Sequence, residues 1–206
     1  MSCAVRVKMC GMTRLEDINH AVFLGVHALG FIFYPQSPRN LSIAQAKALM
    51  NKIPPFITRV AVVVDPEALF LQEILDELPV DLIQFHGSES LSFCRQFNTP
   101  FIKSIPAESE LKIQQAMAEF DLAQALLLDT PCVQLKGGTG KQFNWQIIPK
   151  ITTKPYILAG GLNQHNITNA LQQCKPYAVD VCSGIESEPG IKDHHKMTGF
   201  IKTLGV

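Results

Sequence analysis

Charge of one sign is missing from this chain. Lysine plus arginine and aspartate plus glutamate number 18 each, so there is no basic excess to suggest a nucleic-acid partner and no acidic tail. Long apolar runs are missing too. Stretches such as 61–64 and 125–128 are strand-sized, far below the roughly 20 residues a membrane-spanning helix needs, so no membrane partner is expected. The opening Met1-Ser2-Cys3-Ala4-Val5-Arg6 lacks the apolar centre of a secretory signal, and the expected location is cytoplasmic. The six cysteines form no CxxC pair, so they read as free thiols in a reducing compartment, most of them used as small packing groups. No linker, repeat or low-complexity segment divides the chain, which reads as a single catalytic domain over 1–206. Neither a metal, nucleotide nor flavin signature is present, so neither metal nor cofactor is expected. The adjacent His194 and His195 find no third ligand at a plausible spacing.

What is present is a hydrophobic content of 47%, enough for a sizeable core, arranged in a regular alternation. Short apolar runs at 5–10, 28–33, 59–64, 82–86, 101–105, 125–129, 156–159 and 178–182 read as strands. Between them lie amphipathic stretches at 15–24, 43–52, 67–77, 91–97, 110–120, 164–173 and 194–204, with a weaker helical stretch at 145–151. Strands apolar along their whole length are buried on both faces, as in a parallel sheet covered by helices. Eight such units leave roughly 26 residues each, at the compact end for a (β/α)8 barrel. An open doubly wound sheet would carry a glycine fingerprint after its first strand, and Cys10-Gly11-Met12-Thr13 is not one.

A barrel of this kind puts its chemistry at the C-terminal strand ends. Strand seven ends in Gly160-Gly161 and strand eight in Asp180-Val181-Cys182-Ser183-Gly184. Barrels bind phosphate at these two ends. Glycines let backbone N–H groups approach the anion, and a serine hydroxyl adds a donor. Two tight turns would use the same residues. Cys10 and Asp129 end strands one and six, across the mouth from each other, and could act as a base and an acid. Packing would equally account for the cysteine, and a turn or cap for the aspartate. Alternation puts Arg6, Lys8 and Cys10 on one face, so Lys8 is expected to favour the Cys10 thiolate. Arg39, in a proline-braced loop, is either a carboxylate clamp or a solvated side chain, and His86 either a catalyst or a satisfied core-edge histidine. Glu186 and Asp193 read as loop and cap residues. These residues alone describe a barrel enzyme moving protons on a small phosphorylated molecule, without naming it.

Taken together the motifs resemble the phosphoribosylanthranilate isomerase family. They are Lys8-Met9-Cys10-Gly11-Met12-Thr13, Gly30-Phe31-Ile32-Phe33 with Ser37-Pro38-Arg39, and Gln84-Phe85-His86-Gly87. Leu128-Asp129-Thr130 follows, then Gly137-Gly138-Thr139-Gly140-Lys141 with Phe143 and Trp145. Gly160-Gly161-Leu162-Asn163, the run from Asp180 to Glu186, Pro189-Gly190 and Lys192-Asp193 complete a series that spans essentially the whole chain in order. Phe85, Cys182 and Asn144 depart from the leucine, serine and aspartate usual in that family; Asn144 can still cap a helix, and Ser183 remains for phosphate.

The resemblance implies an Amadori rearrangement of N-(5-phosphoribosyl)anthranilate to 1-(2-carboxyphenylamino)-1-deoxyribulose 5-phosphate. It implies Asp129 as general acid on the ribose ring oxygen and Cys10 as general base at C2. Arg39 would hold the anthranilate carboxylate, while Gly160, Gly161, Asp180, Ser183 and Gly184 would belong to the substrate-binding set. The expected partner is the small-molecule substrate alone, bound by a monomer or a homodimer. For donation Asp129 must hold a proton, which partial desolvation favours. Neighbouring barrels fit less well. An indole-glycerol-phosphate synthase needs an extra N-terminal segment, the histidine-pathway isomerase uses an aspartate pair, and a pentose-phosphate epimerase needs a His/Asp metal set. A barrel that merely senses a sugar phosphate would require neither Cys10 nor Asp129.

Overall fold

A computed structural model describes residues 5–131 and 143–205. Cys3, Cys132 and the glycine-rich segment 137–141 lie outside the described residues. Eight parallel strands, each hydrogen-bonded to its sequence neighbour, close into a barrel when β8 pairs with β1. They are β1 (Arg6–Cys10), β2 (Ala28–Phe33), β3 (Thr58–Val63), β4 (Leu82–Phe85), β5 (Phe101–Pro106), β6 (Leu126–Asp129), β7 (Tyr156–Leu158) and β8 (Ala178–Val181). The helices are α1 (Leu15–Phe23), α2 (Ile43–Met50), α3 (Ala68–Glu77), α4 (Leu91–Cys94), α5 (Glu110–Glu119), α6 (Ile167–Gln173) and α7 (His194–Leu204). Among the described residues no helix is long and apolar enough to cross a membrane.

Side-chain alternation divides the core into layers. Outward-facing Val7, Met9, Leu29, Phe31, Ile83, Phe85, Leu126 and Leu128 pack under the helices in the main cluster. Inside the barrel, Ile102, Ala125, Leu127, Ile157, Ala159 and Ala178 fill one level, and Cys10, Val60 and Val62 another. The wall is thus largely apolar on both sides, interrupted by the buried polar side chains of Lys8, Gln84, Lys103, Ser104 and Asp180.

Local signals fix the helix ends. Ser42 accepts from the Gln45 N–H while the Gln45 side chain reaches back to the Ser42 N–H, a reciprocal cap on α2. Asp193 caps α7 through the N–H groups of His195 and Lys196, and Gly205 closes that helix in the left-handed conformation. His194 stacks on His20 of α1 with ring centroids 4.3 Å apart and donates toward Asp17, so that histidine pair is an interhelical seam.

The helix expected at 145–151 is instead a 3-10 turn over Trp145–Ile147. Pro149 supplies no N–H and disfavours helical geometry at Ile148, so the turn ends there. Beyond β8 the chain makes a second 3-10 turn over Ser183–Ile185, then a two-stranded antiparallel ribbon of β9 (Glu186–Glu188) and β10 (Ile191–Lys192). That ribbon follows directly from the C-terminal end of β8.

Candidate active site

Cys10 sits at the last position of β1, buried at 5% exposure. Lys8 lies two residues earlier on the same face and directly opposite Asp180 in the β1–β8 register; its Nζ donates to Asp180 Oδ1 at 2.9 Å. Burial works against charge on Lys8, but Asp180, with help from the Cys10 sulfur, raises its pKa overall. Lys8 is therefore a charged lysine already matched by a carboxylate. Lys8 does draw the Cys10 thiol toward its thiolate, as expected from their shared face, but it does not prevail. The neighbouring Cys182 thiol and burial push the Cys10 thiol well up, against the weaker pull of Lys8.

Cys182, at the end of β8, is the neighbour that sequence reasoning set aside. It packs against the inner cluster that holds Cys10, and Lys192 Nζ is hydrogen-bonded to the main-chain carbonyls of both cysteines. The neighbouring Cys10 thiol, with Lys192 and Arg39, brings the Cys182 thiol down to about 7 against the effects of burial and Glu186. Two thiols in contact titrate as a unit: the first proton leaves easily and the second is held.

Arg39 is not solvated. Its Nε and Nη2 donate to Glu186 Oε1 and Oε2 at 2.8 and 2.5 Å, a bidentate fork between two buried side chains. Lys192 Nζ donates to Glu186 Oε1 at 2.8 Å, to the Cys10 carbonyl at 2.6 Å and to the Cys182 carbonyl at 3.3 Å. One buried ammonium thus ties the ends of β1 and β8 to the ribbon. Burial disfavours the Glu186 charge, but its two cations outweigh burial and hold its carboxyl below the ordinary value. The reading of Glu186 as a loop residue is corrected: it is the buried anion that anchors Arg39 and Lys192. Pro189-Gly190 between Glu186 and Lys192 was the available signal, since that dipeptide marks a tight turn that folds the flanking residues together.

On the other side of the mouth Asp129 ends β6 and is partly exposed. Its Oδ1 accepts from the Thr130 N–H, and its Oδ2 lies 3.4 Å from Nε2 of His86, at the end of β4. His86 Nδ1 in turn lies 2.9 Å from Gln84 Nε2; the buried Oε1 of Gln84 has no hydrogen-bond partner among the described residues. His86 is therefore the neighbour of the acid candidate.

The two glycine loops abut. Gly160 has φ +82°, and a methyl group there would overlap Thr130 and come within 3.0 Å of Asp129 Oδ1. A methyl at Gly184 would overlap the Leu162 carbonyl oxygen, so the turns after β7 and β8 touch backbone to backbone. Gly161 and Ser183 are half-buried within the same rim. The Asn163 and Asn166 side-chain amides both donate to the Gly161 carbonyl, pinning the first turn.

Fold and rim together define a (β/α)8-barrel enzyme whose polar groups converge at the C-terminal end of the strands. Residues 7–203 match the profile of the N-(5'phosphoribosyl)anthranilate (PRA) isomerase family. The N-(5'-phosphoribosyl)anthranilate isomerase of Legionella pneumophila (strain Lens) is 59% identical over 200 residues, covering 97% of each chain. The crystal structure of phosphoribosyl anthranilate isomerase from Thermotoga maritima superposes with a TM-score of 0.87 at 34% identity, covering 98% of both chains. A phosphoribosyl anthranilate isomerase solved in complex with reduced 1-(o-carboxyphenylamino)-1-deoxyribulose 5-phosphate gives 0.84 at 33% identity over 98% of each chain. The chain belongs to the N-(5'-phosphoribosyl)anthranilate isomerase family, and is thereby an intramolecular isomerase.

Proposed function

We propose that this chain, acting over 1–206 as one catalytic unit in the cytoplasm, isomerises phosphoribosylanthranilate with Cys10 as general base and Asp129 as general acid. The observation that carries the assignment is the placement of a thiol and a carboxyl at the C-terminal ends of β1 and β6. Around the wall β1 and β6 stand three strand intervals apart, each about 4.8 Å, so their side chains face each other across the mouth with room for a sugar.

Asp129 gives its proton to the ribose ring oxygen, the C1–O bond breaks, and the anilino nitrogen closes an iminium at C1. The positive iminium acidifies the C2 proton, which passes to the Cys10 sulfur and leaves an enolamine. Proton uptake at C1 and loss of the C2 hydroxyl proton then give the ketone. His86 stands behind Asp129, placed to resupply the proton it has spent.

The reduced product analogue bound by the related isomerase has three parts: an aromatic carboxylate, a pentulose chain and a terminal phosphate. The rim offers a counterpart to each. Two of the five Arg39 N–H donors are committed to Glu186, which fixes the guanidinium plane and leaves the others for the anthranilate carboxylate. The abutting turns at Gly160-Gly161 and Ser183-Gly184 take the phosphate on backbone N–H groups and a serine hydroxyl. Asp180 holds Lys8 beneath the sugar and completes the substrate-binding set. The enzyme works as a monomer or a homodimer.

The test follows loss of phosphoribosylanthranilate fluorescence on addition of purified protein. Cys10→Ala and Asp129→Ala are each expected to lower kcat by about 10²- to 10⁴-fold, with binding of the reduced product analogue largely kept. A Cys10→Ala protein that turns over at the wild-type rate overturns the base assignment.

A further inference from the structure

A base must be deprotonated before it can accept a proton, and the surroundings of Cys10 hold its proton on. Beside Cys10 stands one lysine, Lys8, matched by one carboxylate, Asp180. Beside Cys182 stand two cations, Lys192 and Arg39, against the single carboxylate of Glu186. Lys192 Nζ is 3.9 Å from the Cys182 sulfur. Arg39 reaches it over Gly11, where a methyl group would sit 2.6 Å from Arg39 Cδ and 3.2 Å from Cys182 Sγ. These five groups are the charges that face the two sulfurs, and their balance favours negative charge at Cys182 over Cys10.

We propose that Cys182 is a positioning residue that acts through Cys10: the two sulfurs share one proton, the resting charge lies on Cys182, and Cys182 takes the Cys10 proton when the base is needed. The step is balanced. Cys10–SH and the Cys182 thiolate become the Cys10 thiolate and Cys182–SH, with no net gain or loss. The C2 proton then passes to Cys10, so that the pair holds two protons and the substrate has lost one. Ketonisation takes one proton up at C1 and releases one from the C2 hydroxyl, and loss of one proton from the pair restores the resting state. The positive iminium formed on ring opening is what draws negative charge from Cys182 toward Cys10. Deprotonation of the base is thereby coupled to formation of the intermediate it attacks.

This inference rests on the reading of Cys10 as the base, and the experiment separates the two. The pH dependence of kcat/KM is measured for the wild type, Cys182→Ser, Cys182→Ala and Cys10→Ala. The wild-type acid limb is expected near neutrality. In both Cys182 variants it should move up by at least one pH unit, giving about a tenfold loss below the limb with the high-pH plateau recovered. Serine keeps a hydroxyl that can hydrogen-bond but cannot take the charge, so it should not restore the limb. An unmoved limb, or an equal loss at every pH, overturns the proposal. So does rescue by serine. Wild-type turnover in Cys10→Ala would instead remove the reading beneath it. A direct measurement covers the case in which the Cys182 variants do not fold. With Cys3 and Cys132 changed to serine, thiolate absorbance should show one equivalent ionising below pH 8. Burial holds Cys94 and Cys174 up at about 11, clear of that window. Zero or two equivalents overturn the shared proton.

Discussion

Replacing Glu186 by glutamine removes one charge without changing the shape of the site, and the structure says how much should follow. Glu186 is buried, as are both of its partners, Arg39 and Lys192. Removing one member of a buried ion-pair cluster strands the others in a low dielectric and costs about 3–5 kcal/mol. The glutamine amide also turns an N–H toward a guanidinium that has only N–H groups to offer. For a chain of this length that loss lowers Tm by roughly 6–20 °C. Linkage gives a second readout. Because the folded-state carboxyl is held below its ordinary 4.5, the unfolded chain takes up that proton first as pH falls. The contribution is fully present above pH 4.5 and is lost as pH drops through the lower folded value, so the acid loss of wild-type stability should be shallower in the variant. Function should change as well: KM rises because Arg39 loses its orienting fork. The acid limb of kcat/KM moves down, because the carboxylate that opposes charge on Cys182 is gone. Thermal melts from pH 3 to 8 and steady-state kinetics on the same preparations make the test. Equal Tm and equal KM in the two proteins would refute the view of Glu186 as the anchor of this cluster.

Asp129→Asn keeps the hydrogen bond from the Thr130 N–H but removes the transferable proton, and kcat should fall about 10²- to 10⁴-fold in a fluorescence assay with little change in KM. Gly184→Ala forces the β8 turn away from the Leu162 carbonyl; KM and the inhibition constant of inorganic phosphate should rise together while kcat changes less. Lys103→Met leaves Glu89, which also binds the Gly87 and Asp65 N–H groups, as an unmatched buried carboxylate behind β4 and β5. It should lower Tm by roughly 6–20 °C, read by calorimetry, with kcat of the folded protein kept at 25 °C.

The barrel was legible because its signal is redundant. Eight apolar runs at regular spacing leave little freedom, and each β1–β8 strand overlaps the run that announced it. The weak helix at 145–151 misled because its apolar spacing ignored Pro149, which shortened it to a turn. The rim candidates were legible by position alone, since strand ends are where a barrel keeps its chemistry. Their partners were not. Arg39 and Glu186 are 147 residues apart, and Lys8 and Asp180 are 172 apart; nothing in a linear pattern reports such pairings. Cys182 was passed over because a cysteine in an apolar strand reads as packing. Its contact with Cys10 exists only once β8 closes the barrel against β1.

Gly30 faces Cys10 across the β1–β2 seam, and a methyl group on it would stand 2.8 Å from the Cys10 sulfur and 3.1 Å from Lys8 Nζ. The Cys10 sulfur thus occupies a notch made by a missing side chain on the adjoining strand. Its aim is set by what a neighbour leaves out, so evolution could retune the reach of this thiol by a single methyl on β2 and leave the thiol itself untouched.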